Sequence, residues 1–151
     1  MRLYRIARRP YANLGGDGGL DYPGRWHDRG FRILYTSPSI ALAAIEFAVH
    51  SRTRPADTML VEIELDDGVE LVHVADMIGG PLPGNWASDH GHTRPLGTAW
   101  LSERKSVALS VPSVVIPLER NILLNPEHPD FDRVAMVDCK PFFFDPRLFT
   151  R

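Results

Sequence analysis

One carboxylate stands out in the sequence because of its apolar surroundings. Glu46 lies in the middle of "ALAAIEFAVH", where alanines and larger apolar residues leave little room for a polar, solvent-facing stripe. Such a carboxylate is either solvated or held inside the protein, and burial without a partner is unfavourable. His50 follows four residues later, so its ring could approach the carboxylate on the same helix face. Glu46 is therefore a candidate functional residue.

A second group of residues that could do chemistry lies in the stretch "GLDYPGRWHDRG", residues 19–30. It places Arg25, Trp26 and His27 side by side in a glycine-flanked loop. Glycines let a backbone fold closely around a ligand, and a guanidinium binds phosphate oxygens through paired hydrogen bonds. Arg25 could therefore hold an anionic ligand, although an isolated arginine is more commonly a surface residue. Trp26 is expected to pack the loop against the protein.

The sequence lacks the motifs of zinc sites, P-loops and serine hydrolases. The histidines of "HGH" do not have the i, i+4 spacing of a zinc-binding helix, and there is no cysteine pair to support a metal site. The glycine-rich "GGDGG" is not followed by Gly-Lys-Ser, as a P-loop requires. The sequence also lacks the Gly-x-Ser-x-Gly motif of serine hydrolases. We therefore expect no metal site.

The composition is that of an ordinary globular protein, with 44% hydrophobic and 24% charged residues among 151. This length predicts one domain, residues 1–151, that buries ~70% of its unfolded surface. A net charge of -2 gives no general attraction to nucleic acid or to an anionic membrane. The single Cys139 fits a reducing cytosol. Because we find neither a membrane-spanning run nor a signal peptide, we expect a cytoplasmic protein.

The first elements of the chain must position both groups of residues. "MRLYRI" alternates polar and apolar side chains and predicts a strand, whereas residues 9–24 are rich in glycine, proline and asparagine and predict a loop. "FRILYTS" predicts a strand that ends in a helix start. Ser37 is the expected N-cap and Pro38 the expected first helical residue.

The helix that follows, over "SIALAAIEFAVHSR", is the one that carries Glu46. Leu42, Ile45 and Val49 recur in it at helical spacing, with alanines between them. We therefore expect these three side chains to form its buried stripe.

The rest of the chain predicts mostly strands. "TMLVEIEL" alternates, with four apolar residues from Met59 to Leu65 on one face and two glutamates on the other. After the turn "DDG", "VELVHV" predicts the returning strand of a hairpin. The remaining predictions are a helix over "TRPLGTAWLSER" and strands over "SVALSVPSVVIP" and "RVAMVDCKPFFF". Because strands and helices do not alternate regularly, an α+β fold is favoured.

Several stretches together resemble a known family. They are "GLDYPGRWHDRG", "ILYTSPSIALAAIEFAVH", "LGTAWLSERKSVALSVPSVVIPLERNILLNPEHPDF" and "FFFDPRL". This set is similar to the RES domain, a family named for its arginine, glutamate and serine. The resemblance implies a single compact domain similar to ADP-ribosyltransferases, with mixed and antiparallel sheets and flanking helices. It also implies a toxin of a bacterial type II toxin–antitoxin pair, one that consumes NAD and arrests growth.

Residue by residue, the resemblance assigns the family's arginine to Arg25, its active-site tyrosine to Tyr35, its glutamate to Glu46 and its serine to Ser113. The family's usual Gly-Gly-Arg-Trp-Asn is Pro-Gly-Arg-Trp-His here, so Pro23 and His27 depart from the pattern beside the arginine. Residues 78–92 match weakly, and no function is carried onto them. The roles of His27 and His50 stay open.

The implied chemistry suits these residue types. Cleavage of the nicotinamide–ribose bond passes through an oxocarbenium-like transition state, which the Glu46 carboxylate would stabilise. Arg25, and more weakly Arg5, would bind the NAD diphosphate. Tyr35 offers a flat face to the nicotinamide ring. Ser113 would donate a hydrogen bond to the substrate or to Glu46 rather than act as a nucleophile. NAD is then a substrate, and no separate cofactor is expected.

Three functions remain open at this point. The first is NAD degradation by water or phosphate, and the second is transfer of ADP-ribose onto a cellular protein at the same site. The third, from another class, is a non-catalytic binding module of a regulatory complex. The resemblance implies an Xre-like, helix-turn-helix antitoxin that covers the active site. We expect no direct contact with nucleic acid or membrane, and the stoichiometry of a higher-order toxin–antitoxin complex stays open.

Overall fold

The computed structural model describes residues 1–150. Its strands are β1 (Arg2–Arg8), β2 (Leu34–Thr36), β3 (Thr58–Leu65), β4 (Leu71–His73), β5 (Ala108–Pro112), β6 (Arg120–Leu124) and β7 (Val134–Pro141). Its α-helices are α1 (Gly18–Asp21), α2 (Ile40–Ala48), α3 (Val74–Ile78) and α4 (His90–Glu103). Short 3₁₀ turns cover Arg9–Tyr11, Phe131–Arg133 and Pro146–Leu148.

The strands form two sheets. In the first sheet β3 lies between β1 and β7 and is antiparallel to both. The second sheet has the order β2-β6-β5-β4, in which β4 runs parallel to β5 and the other pairs are antiparallel. The predicted α+β class, with mixed and antiparallel sheets, is confirmed.

The alternating pattern of β3 explains how the two sheets pack. Its apolar residues Met59, Val61, Ile63 and Leu65 are all buried. On the opposite face Glu62 and Glu64 lie at the surface, where they pair with Lys140 and Arg2 respectively. A core cluster between the sheets joins β3 to β1, β2, β5 and β6 through Leu3, Leu34, Ala108 and Leu124, among others. The period-two pattern therefore predicted the buried face of this strand correctly.

The hairpin expected after β3 is wrong. The strand predicted over residues 69–74 is β4, which lies in the second sheet and pairs with β5 instead of β3. The neighbours of β3 come from the two ends of the chain, since β1 and β7 occupy both of its edges. Local periodicity identifies a strand but carries no information about a distant partner.

The packing of α2 also differs from the prediction. Of the expected stripe only Leu42 is buried, while Ile45 and Val49 are 37% and 54% exposed. The helix instead turns its small residues to the first sheet, where Ala43 packs in a cluster with Ile6. Alanines permit a close approach of helix and sheet, so the larger side chains are left facing outward.

The start of α2 lies two residues later than predicted. Its N-cap is Ser39, whose hydroxyl accepts a hydrogen bond from the backbone N–H of Leu42. Ser37 does not cap the helix, because its hydroxyl donates to the side-chain oxygen of Asn121 at 2.7 Å. The cap predicted at Ser37 is therefore wrong, and the reason is a contact 84 residues away in the chain.

Candidate active site

A cavity of about 480 Å³ opens between α2, the second sheet, the loop before β2 and the start of α4. Four of the residues predicted to act on a substrate line it, namely Arg5, Arg25, Tyr35 and Glu46. Ser113 is fully buried directly behind Glu46. The structure therefore brings together the whole set of candidate site residues, which are up to 108 positions apart in the chain (113 − 5).

The Glu46 carboxylate is half-buried and is held by two neutral donors. The Ser113 hydroxyl and the Asn121 side-chain N–H both donate to its Oε1, each at 2.6 Å. Within residues 1–150, no hydrogen bond links His50 to this carboxylate, although His50 lines the same cavity. Glu46 is thus positioned without a cationic partner, and we name the group formed by Glu46, Ser113 and Asn121 the carboxylate wall.

The hydroxyl of Ser113 is engaged on all sides. It lies just after the end of β5, where it accepts hydrogen bonds from the backbone N–H groups of Val115 and Ile116 at 3.1 and 2.9 Å. A hydroxyl has one proton and two acceptor lone pairs. Since both lone pairs are used by backbone donors, the proton points to Glu46. Of the two partners expected for Ser113, substrate or Glu46, the structure shows Glu46.

Arg25 lines the same cavity, in a loop closed by a backbone hydrogen bond from Gly24 to His27. Its guanidinium donates to the Ala87 carbonyl at 2.9 Å and lies 6.0 Å from the centre of the Trp86 ring. A cation over an indole face is favourable. Residues 78–92, onto which no function was carried, therefore help to position Arg25.

Helix α4 holds this loop from behind. Thr93 donates its hydroxyl proton to the Arg25 carbonyl at 2.5 Å, and Arg94 donates to the Gly24 carbonyl at 2.7 Å. Gly97 lies so close to the Trp26 carbonyl that a β-carbon at this position would collide with it. Arg94 also lines the cavity, and we name Arg25 and Arg94 the arginine wall.

Trp26, which lies between Arg25 and His27 in the sequence, has a structural role. Trp26 is buried, at 2% exposure, in a core cluster with Trp100 behind the second sheet. Its ring centre lies 6.2 Å from that of Trp86. The expectation that Trp26 packs the loop against the protein is confirmed, and this packing fixes the chain on one side of Arg25.

Tyr35 and His27 form a coupled pair under the same loop. The Tyr35 hydroxyl accepts from the Trp26 backbone N–H at 3.2 Å and lies 2.7 Å from His27 Nδ1. His27 Nε2 lies 3.0 Å from the Tyr22 carbonyl, which can only accept, so Nε2 carries the proton and Nδ1 accepts from Tyr35. Burial raises the pKa of the Tyr35 hydroxyl and lowers the pKa of His27. Both groups are thus neutral at pH 7.

Gly24 is required by this arrangement. A β-carbon there would lie 2.5 Å from the Tyr35 hydroxyl and 2.7 Å from the His27 ring. The glycine beside the arginine therefore serves the packing of Tyr35 and His27 against the loop backbone. His27, whose role the sequence left open, acts as a buried hydrogen-bonding link between loop and strand.

Arg5 has a partly structural setting. One of its guanidinium nitrogens donates to the carbonyls of Tyr11 and Asn13, at 2.7 and 3.1 Å, which ties down the loop after β1. Burial lowers the pKa of Arg5 to about 10, so the side chain keeps its charge at pH 7. It lines the cavity, and a role in binding phosphate stays a prediction.

Sequence reasoning missed His90, Arg94 and Asn121, three polar residues that line the cavity. Arg94 and His90 lie on one face of α4, four positions apart, but the predicted helix began only at Thr93 and so did not include His90. Partial desolvation lowers the pKa of His90, and so do the nearby charges of Arg94 and Arg25. Asn121 lies within "NILLNP", part of the motif that carries the family resemblance, which was the one available signal.

Within residues 1–150, no three histidine, cysteine, aspartate or glutamate side chains lie close enough together to hold a metal ion. None of the helices described is long and apolar enough to cross a membrane.

The fold matches that of a solved toxin. The crystal structure of the M. tuberculosis MbcT–MbcA toxin–antitoxin complex contains a chain that superposes with a TM-score of 0.76 at 14% sequence identity. The match covers 98% of this chain and 86% of that one. The fold therefore places this chain in the α+β class, as expected.

Sequence comparison gives the family. The model of the RES domain matches residues 2–145, and this chain belongs to that family. It is 37% identical to "Toxin Res" of Yersinia enterocolitica, over 98% of this chain and 99% of the relative. "Toxin Res" of Pseudomonas putida is also 37% identical, over 99% of this chain and 100% of the relative. The "Prs ADP-ribosylating toxin" of Sphingobium is 34% identical, over 92% and 88%.

Proposed function

We propose that this chain is the toxin of a toxin–antitoxin pair and that it cleaves the nicotinamide–ribose bond of NAD, which depletes cellular NAD and arrests growth. The observation that carries this proposal is Glu46, a carboxylate without a cationic partner among residues 1–150 that lines the same cavity as three arginines. The toxin names of relatives matched end to end support the same function.

Glu46 would act on the ribose. Its two described donors both bind Oε1, so Oε2 is left to meet a ligand in the cavity. Loss of nicotinamide builds positive charge on the ribose ring, and a fixed carboxylate stabilises that charge most strongly in the transition state. Nicotinamide leaves as a neutral molecule, so the reaction depends more on stabilising the cation than on a general acid.

The arginine wall would bind the diphosphate. Arg25 and Arg94 bring two positive charges to the cavity that Glu46 also lines, and Arg5 adds a third from β1. Guanidinium groups match phosphate oxygens in charge and geometry. The cavity volume of about 480 Å³ falls within the range of pockets that bind small organic ligands.

Tyr35 would contribute its ring rather than its hydroxyl. The hydroxyl is bound to the Trp26 N–H and to His27, inside the protein. The aromatic face that lines the cavity is then the part available to a flat nicotinamide ring. The substrate in this proposal is NAD, and the mechanism uses no further cofactor and no metal.

Water or phosphate would accept the ADP-ribosyl group in the proposed reaction. Transfer onto a protein is the second candidate, because one relative, 34% identical, is named an ADP-ribosylating toxin. Both reactions share the first bond cleavage and differ only in the acceptor.

An antitoxin partner is part of the proposal. The solved structure with the matching fold is a toxin–antitoxin complex, and we propose an Xre-like, helix-turn-helix chain as the partner here. Ile40, Ile45 and Val49 expose apolar surface on α2, the helix that carries Glu46. A partner that covers these side chains would also close the cavity. The partner would thereby block NAD degradation by the toxin in the cytoplasm.

The test is the release of nicotinamide from NAD by the purified chain, followed by chromatography with and without phosphate. Wild type should consume NAD, and Glu46→Gln, which keeps the shape but removes the charge, should lower kcat by a factor on the order of 10² to 10³. Glu103→Gln, at the exposed far end of α4, is the matched control and should keep wild-type activity.

The product mass then identifies the acceptor, and labelled NAD with cell extract detects modified protein. No NAD consumption by wild type in either assay would contradict the proposal. So would growth arrest by a well-folded Glu46→Gln chain, because a non-catalytic binding module predicts that result.

A further inference from the structure

We infer that Asn121 is a positioning residue for this reaction: aligned by Ser37, it holds the Glu46 carboxylate with one oxygen turned to the substrate. The inference rests on the proposed cleavage of NAD and deepens it by adding a residue to the site. Asn121 touches Glu46 at 2.6 Å and Ser37 at 2.7 Å, and it lines the cavity.

The direction of each hydrogen bond in this group is fixed by chemistry. An ionised carboxylate only accepts, so the amide nitrogen of Asn121 must face Glu46. The amide oxygen then faces Ser37, whose hydroxyl donates to it. The reversed amide would place two acceptors 2.6 Å apart, which is repulsive. Ser37 therefore sets the orientation of Asn121, and Asn121 presents a proton to Glu46.

The two donors also fix the orientation of Glu46. Oε1 receives hydrogen bonds from Asn121 and from Ser113, whose own lone pairs are used by backbone N–H groups. Two short hydrogen bonds to the same oxygen oppose rotation of the carboxylate. Oε2 is then the oxygen presented to a ligand.

The second sheet makes this position rigid. Asn121 pairs with Val111 on β5, and its neighbour Ile122 pairs with Thr36 on β2. Ile122 points into the core between the sheets, at 3% exposure, so Asn121 faces the opposite side, towards the cavity. A shift of register would expose Ile122, and this energetic cost keeps the amide in place.

The decisive variant is Asn121→Asp, which is nearly isosteric. The introduced carboxyl and Glu46 would lie within hydrogen-bonding distance and share one proton, as paired carboxylates do. While the pair keeps that proton, a donor still faces Glu46 and activity persists. Once the pair loses it, two negative charges repel and Glu46 moves. Activity should therefore fall as pH rises, roughly tenfold per pH unit above the pair's upper pKa.

Other ionisable groups must be separated from this effect. Besides Glu46, the cavity is lined by His50 on α2, by His90 and Arg94 on α4, by Arg25 in the loop, by Arg5 and Tyr4 on β1 and by Tyr35 on β2. All of them are present in wild type as well, so the ratio of variant to wild-type kcat at each pH isolates the introduced carboxyl. Ser102→Asp, which adds a carboxyl at an exposed residue near the far end of α4, controls for the added charge.

A kcat ratio that falls at least about tenfold between pH 5.5 and pH 8 supports the inference. A ratio independent of pH overturns it, even if the variant is less active, because a merely structural residue would lower activity equally at every pH. Asn121→Ala should lower kcat more than it raises KM, with folding checked by thermal unfolding; unchanged kcat would also overturn the inference.

A second measurement does not depend on NAD. Carbon-13 NMR of the side-chain carboxyls should show Glu46 and the introduced carboxyl of Asn121→Asp titrating in two coupled steps. Independent titration overturns the inference. A wild-type chain that releases no nicotinamide, by contrast, overturns the proposed function and with it a role for Asn121 in that reaction. The NMR result would still report whether the contact with Asn121 positions Glu46.

Discussion

The carboxylate wall and the arginine wall face the same cavity but are held by different kinds of contact. Glu46 is bound by side chains that extend from β5 and β6 in the interior of the second sheet, and its donors are neutral. Arg25 and Arg94 instead donate to the backbone carbonyls of Ala87 and Gly24, in the loops that surround the cavity.

This difference suggests a division of labour. A carboxylate that stabilises a transition state must be fixed before the substrate arrives, and strands provide that preorganisation. A guanidinium that binds a flexible diphosphate tolerates movement, because its reach and its several donors adapt to the ligand. We expect damage to the carboxylate wall to appear in kcat and damage to the arginine wall to appear in KM.

The largest effect that would sharpen this comparison is expected from Arg25→Ala. Loss of a hydrogen bond to a charged group costs about 1.5–3 kcal/mol, or roughly a 10- to 150-fold loss of affinity. KM for NAD should rise by that factor with kcat little changed, the reverse of Glu46→Gln. Arg29→Ala, an exposed arginine of the same loop, is the control. A fall in kcat at constant KM would break the proposed division.

A smaller effect is expected from Gly97→Ala. The added methyl would meet the Trp26 carbonyl, so the loop that carries Arg25 must move away from α4. Overpacking of this kind lowers the free energy of unfolding by about 1–3 kcal/mol. The better helix propensity of alanine returns only about 1 kcal/mol. We expect a lower melting temperature and a raised KM. Gly80→Ala is the control, and because Gly80 has open space around it, melting temperature and KM should stay unchanged. A Gly97→Ala chain as stable and active as wild type would show that the contact between Gly97 and the Trp26 carbonyl is unimportant.

The smallest effect concerns pH and the His27–Tyr35 pair beneath the arginine wall. Burial lowers the pKa of His27 in the folded chain, so below about pH 6.5 the unfolded chain binds a proton that the folded chain does not. Stability should decline as pH falls through this window. His27→Asn removes the titrating group, and urea unfolding between pH 7.5 and pH 5 should show a shallower decline. Parallel pH dependences of wild type and variant would contradict this account.

The local sequence pattern predicted where strands and helices lie better than it predicted which strands pair. The period-two run of β3 and the helices that carry Glu46 and Arg94 follow from residue spacing alone. The partner of β4 does not, because a parallel pairing with β5, some 37 positions along the chain (Leu71 to Ala108), depends on tertiary packing. The same limit explains β6, which local pattern did not single out.

The candidate site shows a similar split. The residue types suggested Glu46 and Arg25, and the family resemblance added Tyr35 and Ser113; all four lie at the cavity or directly behind it. Their roles in NAD cleavage stay predictions. Residue spacing could not identify Asn121 or Ser37, since their importance arises from one hydrogen bond between β6 and the residue after β2. Ser37 was predicted as a helix cap because a serine followed by a proline is typical of a helix start.

The contacts of Glu46 also have a consequence for how the chain matures. Its hydrogen bonds span 67 and 75 positions, and the one that aligns Asn121 spans 84. Such long loops close late, after the local helices have formed. A chain emerging from the ribosome with its amino end first lacks Ser113 and Asn121 until most of its length has been made. The hydrogen bonds that hold the carboxylate therefore form only in a nearly finished molecule, and a partly made chain has no ordered site.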